Sequence, residues 1–322
     1  MRPERECTTP VKPTRKQKLM QWAVRAGSEI MRSPTTRWAE TMGKATPIEF
    51  PPNSKNQYVQ AIKDGCIPIL ITNHSSDYDG IPAAMLTDML TTLANENLPL
   101  GEQLEGFLMI TARSLQSEQQ KIQRPGETII FDALEHPFLS KHAIRPLFTT
   151  TKHDRTRDGS GLPKNSEEFA EELDPRLATG KFGVFLFPEA TVNSGRLDKD
   201  GRRRGMQKFT PGAIAKYVTD IKELTGGRDV VIISAAISGG YKVYDHQTSR
   251  PTRKILAGFR HGDPEVVTVT VSPPVRSRNN VVAGFDAAAS VKQKIGIDRF
   301  FGRRIAAMLP PEERGTVYYT DD

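Results

Sequence analysis

Between residues 54 and 309 the chain alternates two kinds of segment. One kind spaces its apolar residues three and four apart, as one face of a helix requires; the other is a short unbroken apolar run of strand length. Ser54–Lys63 and Ile81–Leu93 are of the first kind. Ile67–Thr72, Phe107–Ile110, Ile144–Thr149 and Phe182–Phe187 are of the second. Pro211–Leu224 reads as a helix with Pro in its first turn, where a missing N–H costs nothing. Val230–Ile237 reads as a buried strand, and Lys254–Phe259 and Val266–Val271 as strands rich in branched residues. Val281–Ile295 and Ile297–Leu309 read as two C-terminal helices. Strands interleaved with helices fold as layers. The expected class is therefore α/β, a mixed central sheet flanked by helices, with an N-terminal helical segment and C-terminal helices.

The first residues follow another pattern. Residues 1–13 carry three prolines and no apolar period, which predicts a tail. Leu19, Trp22, Ala23, Ala26 and Ile30 give Lys16–Met31 a helical stripe, and Thr36–Met42 is long enough for a second short helix. Pro47, Pro51 and Pro52 predict a linker. The expected division is a basic tail with helices over 1–50, an α/β domain over 51–310 and a C-terminal tail over 311–322.

Charge is uneven in the same way. Of a net +7, residues 1–60 hold eleven Lys or Arg against five Asp or Glu. Such an arm suits an anionic lipid surface, a nucleic acid or an acidic protein, and equally a solvated helix face. The two cysteines, Cys7 and Cys66, exclude a disulfide framework. The longest apolar run, Val230–Ile237, falls far short of the ~18 residues of a transmembrane helix. No apolar stretch of signal-peptide type follows the first basic residues, which excludes a secretory signal there. Glu4 and Glu6 weigh against an organellar transit peptide and leave it open.

Four loops carry chemistry. In ILITNHSSDYDG, residues 69–80, His74 stands just past a strand and Asp79 five positions on, before a helix. Strand C-termini in open α/β sheets are where ligands collect. A His oriented by a carboxylate is the minimal general-base pair. The same residues also read as a helix start with Asp77 or Asp79 as its N-cap. In GVFLFPEATVNSG, residues 183–195, another apolar strand delivers Glu189 and Thr191, or simply ends in a turn. The loop 149–159 offers Lys152, His153, Arg155 and Arg157 to a phosphate, or to solvent. In residues 199–214 three consecutive Arg and Lys208 precede a helix N-terminus, a natural anion site. Competing chemistries lack their signatures. There is no Gly-x-Ser-x-Gly for a nucleophilic serine, no second His at residues 76–78 for a metal cluster, and no Gly-rich phosphate loop.

The order of these features resembles the glycerophospholipid acyltransferase family. Asn73-His74-Ser75-Ser76-Asp77-Tyr78-Asp79 is similar to its Asn-His-x-Ser-x-x-Asp block, and Phe187-Pro188-Glu189-Ala190-Thr191 to its Phe-Pro-Glu-Gly-Thr-Arg block. The resemblance covers about residues 54–275, with Gly212-Ala213 and the strand at 230–237 falling where later family blocks lie. Lys152-His153 followed by Asp154 resembles the basic loop of the soluble, plastid-type glycerol-3-phosphate acyltransferases. Three departures stand out. Ala190 replaces Gly, Val192 stands where the phosphate-holding Arg is usual, and the two blocks lie 115 residues apart with an insertion around Gln116–Leu139.

What the resemblance implies is direct acyl transfer. An alcohol ionises far above neutrality, so its attack on a thioester needs a base. His74 would take the proton, oriented by Asp79. N–H groups of the loop after Asn73 are the candidates to meet the charge developing on the carbonyl oxygen. Glu189 and Thr191 would position the acceptor's hydroxyls. Lys152, His153, Arg155, Arg157 and Arg196, the last making up for Val192, would hold its phosphate. The donor would be acyl-CoA or acyl carrier protein, and the acceptor glycerol 3-phosphate or a lysophospholipid. No metal or redox cofactor and no nucleic acid is expected. The chain would be cytoplasmic and peripheral on an anionic membrane surface. The alternative is a catalytically weak protein of the same fold that binds anionic lipid.

Overall fold

The computed structural model describes residues 46–76, 79–112, 144–149, 176–189, 205–245, 250–251, 267–278, 285 and 289–315, and the structural statements below concern these. Ten strands are present among them. They are β1 (Ile48–Glu49), β2 (Ile67–Thr72), β3 (Gly106–Ala112), β4 (Ile144–Thr149), β5 (Phe182–Leu186), β6 (Val230–Ser238), β7 (Tyr244–Asp245), β8 (Arg250–Pro251), β9 (Thr268–Val271) and β10 (Val275–Arg276). All but the β7–β8 hairpin join one sheet, ordered β1-β9-β6-β2-β5-β3-β4, with β10 also paired to β6.

From β6 to β4 every neighbouring pair is parallel. β9 and β10 run antiparallel to β6, so the sheet is mixed, as the alternation predicts. β9 and β10 lie along the same side of β6, separated by Ser272-Pro273-Pro274. The two prolines have no N–H to give a ladder. Ser272 keeps its own, donating to Ser234 O at 2.8 Å.

Parallel strands must be covered on both faces, and the side chains alternate accordingly. All six residues of β2 are buried. Leu70 joins Val231 and Ile233 in a cluster with Tyr58, Ile62, Leu86 and Leu90, contributed by helices α1 (Ser54–Lys63) and α2 (Gly80–Asn95). Ile67, Ile69 and Ile71 point the other way. They pack with Ile214, Val218, Ile297, Phe301 and Ile305 from α3 (Ala213–Leu224) and the last long helix. Between α3 and that helix, four residues form α4 (Gly240–Val243), and the last helix is α5 (Val291–Met308). The result is helices, sheet, helices, with β2 central between β5 and β6.

Three boundaries differ from expectation. α3 begins at Ala213, not Pro211, because Gly212 adopts φ 75°, a left-handed conformation that ends any helix reaching it from either side. The two expected C-terminal helices are one. Residues 285, 289 and 290 are not helical, and Ser290 with Gln293 forms a capping box that starts α5 at Val291. α5 then runs straight through Gly296. The segment between Pro47 and Pro51, expected as linker, contributes β1 to the sheet edge, where Pro47 O accepts the Val269 N–H at 3.0 Å. The expected helices over 16–31 and 36–42 and the expected strand over 254–259 lie outside the described residues.

Gly296 lies within α5 with nothing near the space a Cβ would occupy. Gly in a helix costs about 0.5–1 kcal/mol relative to Ala. Gly296→Ala is expected to stabilise the chain by about that much, read from the midpoint of chemical denaturation at unchanged slope.

Candidate active site

β2, β5 and β6 are parallel neighbours, so their C-terminal ends share one edge of the sheet. Residues 73–76, 187–189 and 239–240 leave from that edge. Asn73, 2% exposed, extends the pairing past the end of β2. Its Nδ2 donates to Ile237 O at 2.8 Å, and its Oδ1 accepts the Ile237 N–H at 2.7 Å. The amide thus imitates one more backbone rung and fixes where the next residue begins.

That residue is His74. Its N–H donates to Glu189 Oε1 at 2.8 Å. Its ring lies flat on Phe187, with centroids 3.9 Å apart and planes 13° from parallel. The side chain is 18% exposed, and Nδ1 stands 3.6 Å from Asp79 Oδ2. This is an electrostatic contact rather than a hydrogen bond. Such contacts in sites without substrate commonly tighten when substrate binds. With Nδ1 turned to Asp79, Nε2 is the nitrogen on the ring's opposite side.

Asp79 is fully buried immediately before α2. Its Oδ2 accepts the N–H groups of Ser75 and of Ser76, the latter at 2.8 Å, and Ser75 Oγ donates to it at 3.1 Å. Gly240, at the exit of β6, lies against the other side of this carboxylate: a Cβ there would overlap Asp79 Oδ1. The carboxylate is therefore held by four groups while it faces His74.

The loop after Asn73 is the expected source of N–H donors for a developing oxyanion. Residues 77 and 78 of it lie outside the described residues, and the structure places the N–H groups of residues 74, 75 and 76. Each is already given to a carboxylate, one to Glu189 and two to Asp79. Glu189 itself, 4% exposed, accepts on both oxygens: His74 N–H on Oε1 and Gln207 N–H on Oε2 at 2.7 Å. It braces the loop carrying His74 against the loop at 205–210. The two sequence blocks thus meet through a direct hydrogen bond spanning 115 residues.

The helix N-terminus expected to hold an external anion is also occupied. Asp298 of α5 accepts the N–H groups of Gly212 and Ile214 at the start of α3. Burial, partly offset by those two bonds, pushes its carboxyl up to about 6. A second buried carboxyl, Glu313, is pushed up to about 7, again chiefly by burial. Both folded values lie above the unfolded ones, so between them the fold binds more protons than the unfolded chain. Their contribution to stability is complete below about pH 4 and is lost as pH rises through about 6 for Asp298 and about 7 for Glu313. Asp298→Asn is therefore expected to flatten the decline of Tm between about pH 4 and 6 relative to the unsubstituted chain. Parallel Tm–pH curves for the two proteins would contradict it.

Among the expected site residues, Thr191, Lys152, His153, Arg155, Arg157 and Arg196 lie outside the described residues. Phe187, Gly239, Gly240 and Glu313 were not expected and are part of the site. Among the described residues no group of three or more His, Cys, Asp or Glu side chains could hold a metal ion. No described helix is long and apolar enough to cross a membrane. Compared with known proteins, the chain matches no family model and no curated sequence.

Proposed function

We propose that the chain is an O-acyltransferase that moves a fatty acyl group from acyl-CoA or acyl carrier protein to a hydroxyl of glycerol 3-phosphate or a lysophospholipid. One observation carries the reading: a half-buried imidazole faces a fully buried carboxylate at the C-terminal ends of the parallel strands β2, β5 and β6, on a loop braced by Glu189. His74 Nε2 takes the acceptor's hydroxyl proton as its oxygen bonds to the thioester carbonyl carbon. Asp79, with the opposite charge, favours the imidazolium so formed. The carbonyl re-forms, the C–S bond breaks, and the proton passes from His74 to the leaving thiolate. No acyl-enzyme is formed. Since residues 74–76 have committed their N–H groups, the donors for the oxyanion come from elsewhere in the site or from the substrate complex.

The test is release of free thiol from palmitoyl-CoA, with and without glycerol 3-phosphate or lysophosphatidate. Acceptor-dependent release supports the proposal. The same committed N–H groups favour a second reading, a protein of this architecture that binds anionic lipid without turnover. Salt-sensitive binding to anionic vesicles with no thiol release in any mixture would select it.

Acceptor choice rests on the basic loops. Lys152→Glu and Arg196→Glu are expected to raise the KM for glycerol 3-phosphate about tenfold or more, since a charged hydrogen bond is worth roughly 1.5–3 kcal/mol. The KM for palmitoyl-CoA should stay nearly unchanged. Equal use of unphosphorylated glycerol would remove the phosphate from the proposal.

A further inference from the structure

Past the end of α5 the chain turns back into the site. Glu313 is 5% exposed, and both its oxygens receive the Gly239 N–H, at 3.1 and 3.3 Å. Its own N–H donates to Pro310 O at 2.9 Å, and its carbonyl accepts the Met206 N–H at 2.8 Å. Close packing holds this turn in place: a Cβ at Gly205, which adopts φ 65°, would overlap the backbone of Gly315.

Two routes lead from this residue to His74. The side chain holds Gly239, whose neighbour Gly240 abuts the Asp79 carboxylate facing the imidazole. The backbone holds Met206, whose neighbour Gln207 donates to the Glu189 carboxylate that receives the His74 N–H. We propose that Glu313 is a positioning residue for the His74–Asp79 pair, fixing the pair's geometry through the exit of β6 and adding its charge behind Asp79. The kinetic part of this rests on the acyl-transfer reading; the geometric part does not.

The charge matters because the two carboxylates feel one another. Asp79 is among the groups that push the Glu313 carboxyl up, together with burial and Glu312, while Gly239 and Lys242 of α4 oppose the rise. Glu313 therefore changes charge near pH 7. Once ionised, it places a second negative charge behind Asp79. That charge adds to the one Asp79 presents to the imidazolium formed on proton transfer.

Glu313→Gln keeps the shape and an acceptor for Gly239 N–H but removes the charge; Glu313→Ala removes both. The first readout needs no substrate: the rate at which diethyl pyrocarbonate, which reacts with neutral imidazole, labels His74, mapped by mass spectrometry across neutral pH. The second is kcat and KM with palmitoyl-CoA and glycerol 3-phosphate. In Glu313→Gln, an inflection near pH 7 in the labelling of His74 is expected to disappear. The kcat above pH 7 should fall about threefold to tenfold, with KM for palmitoyl-CoA little changed. If Gln restores wild-type labelling and kcat at every pH, Glu313 is a structural anchor only and the proposal is overturned. This holds even if Glu313→Ala fails to fold, because Glu313→Gln decides alone. If labelling changes as expected while neither protein releases thiol, the positioning role stands and the acyl-transfer reading falls.

Discussion

Replacing His74 by Ala is expected to lower acceptor-dependent thiol release by about 10²–10⁴-fold, the range a general base supplies. It should do so without unfolding the chain. The anchoring bond at this position is made by the backbone N–H to Glu189, which Ala retains. What the substitution removes is a partly exposed ring resting on Phe187. Circular dichroism and Tm should therefore stay close to wild type while turnover disappears. Asp79→Asn should behave differently. The amide oxygen can take the place of Oδ2 and keep the N–H bonds of both Ser75 and Ser76, but hydrogen bonds to a neutral amide are weaker and the charge opposite His74 is gone. Both rate and stability should fall. If His74→Ala keeps more than about a tenth of the wild-type rate, a general-base role for His74 is excluded.

The parts of this arrangement that were legible in the sequence are those written by local rules. β2, β5 and β6 announce themselves as apolar runs because both their faces are covered, and α1 has the expected bounds Ser54–Lys63. His74, Asp79 and Glu189 were legible because strand ends followed by polar residues are where such sheets place ligands. What was not legible depends on backbone donors and on contacts distant in sequence. A Glu accepting a backbone N–H leaves no pattern in the sequence, so Glu313, 74 residues from Gly239, looked like part of a tail. Asp298 capping α3 from α5 is hidden for the same reason, and it takes the helix N-terminus that the basic residues before α3 suggested for an anion. The start of α3 was misplaced because Pro211 suits a first turn, while the conformation of Gly212 is invisible in its name. The split expected between Ile295 and Ile297 falls at Gly296. In a long helix with a capped start, one Gly is a cost rather than an end.

Gly240→Ala is expected to be strongly damaging although it alters no functional side chain. A Cβ there would overlap Asp79 Oδ1 and press on Ser75 Oγ at 3.4 Å. The overlap can be relieved in two ways. Asp79 can swing away, leaving the buried N–H groups of Ser75 and Ser76 without their acceptor. Alternatively, the exit of β6 can shift, pulling Gly239 from Glu313. A buried donor left unmet costs about 1–3 kcal/mol. Either movement also displaces the carboxylate from the imidazole, and a misplacement of about 1 Å can cost 10²-fold in rate. We therefore expect a stability loss of about 1–3 kcal/mol with turnover down about a hundredfold. Gly296→Ala, the same change in open space, should move stability the other way. The double substitution Gly240→Ala with Asp79→Ser separates steric from general effects. A shorter side chain removes the overlap, so the double variant should be more stable than the sum of the two single losses predicts, yet remain inactive. Additive losses would show that the two residues do not press on one another, and Gly240 would then have no part in placing Asp79.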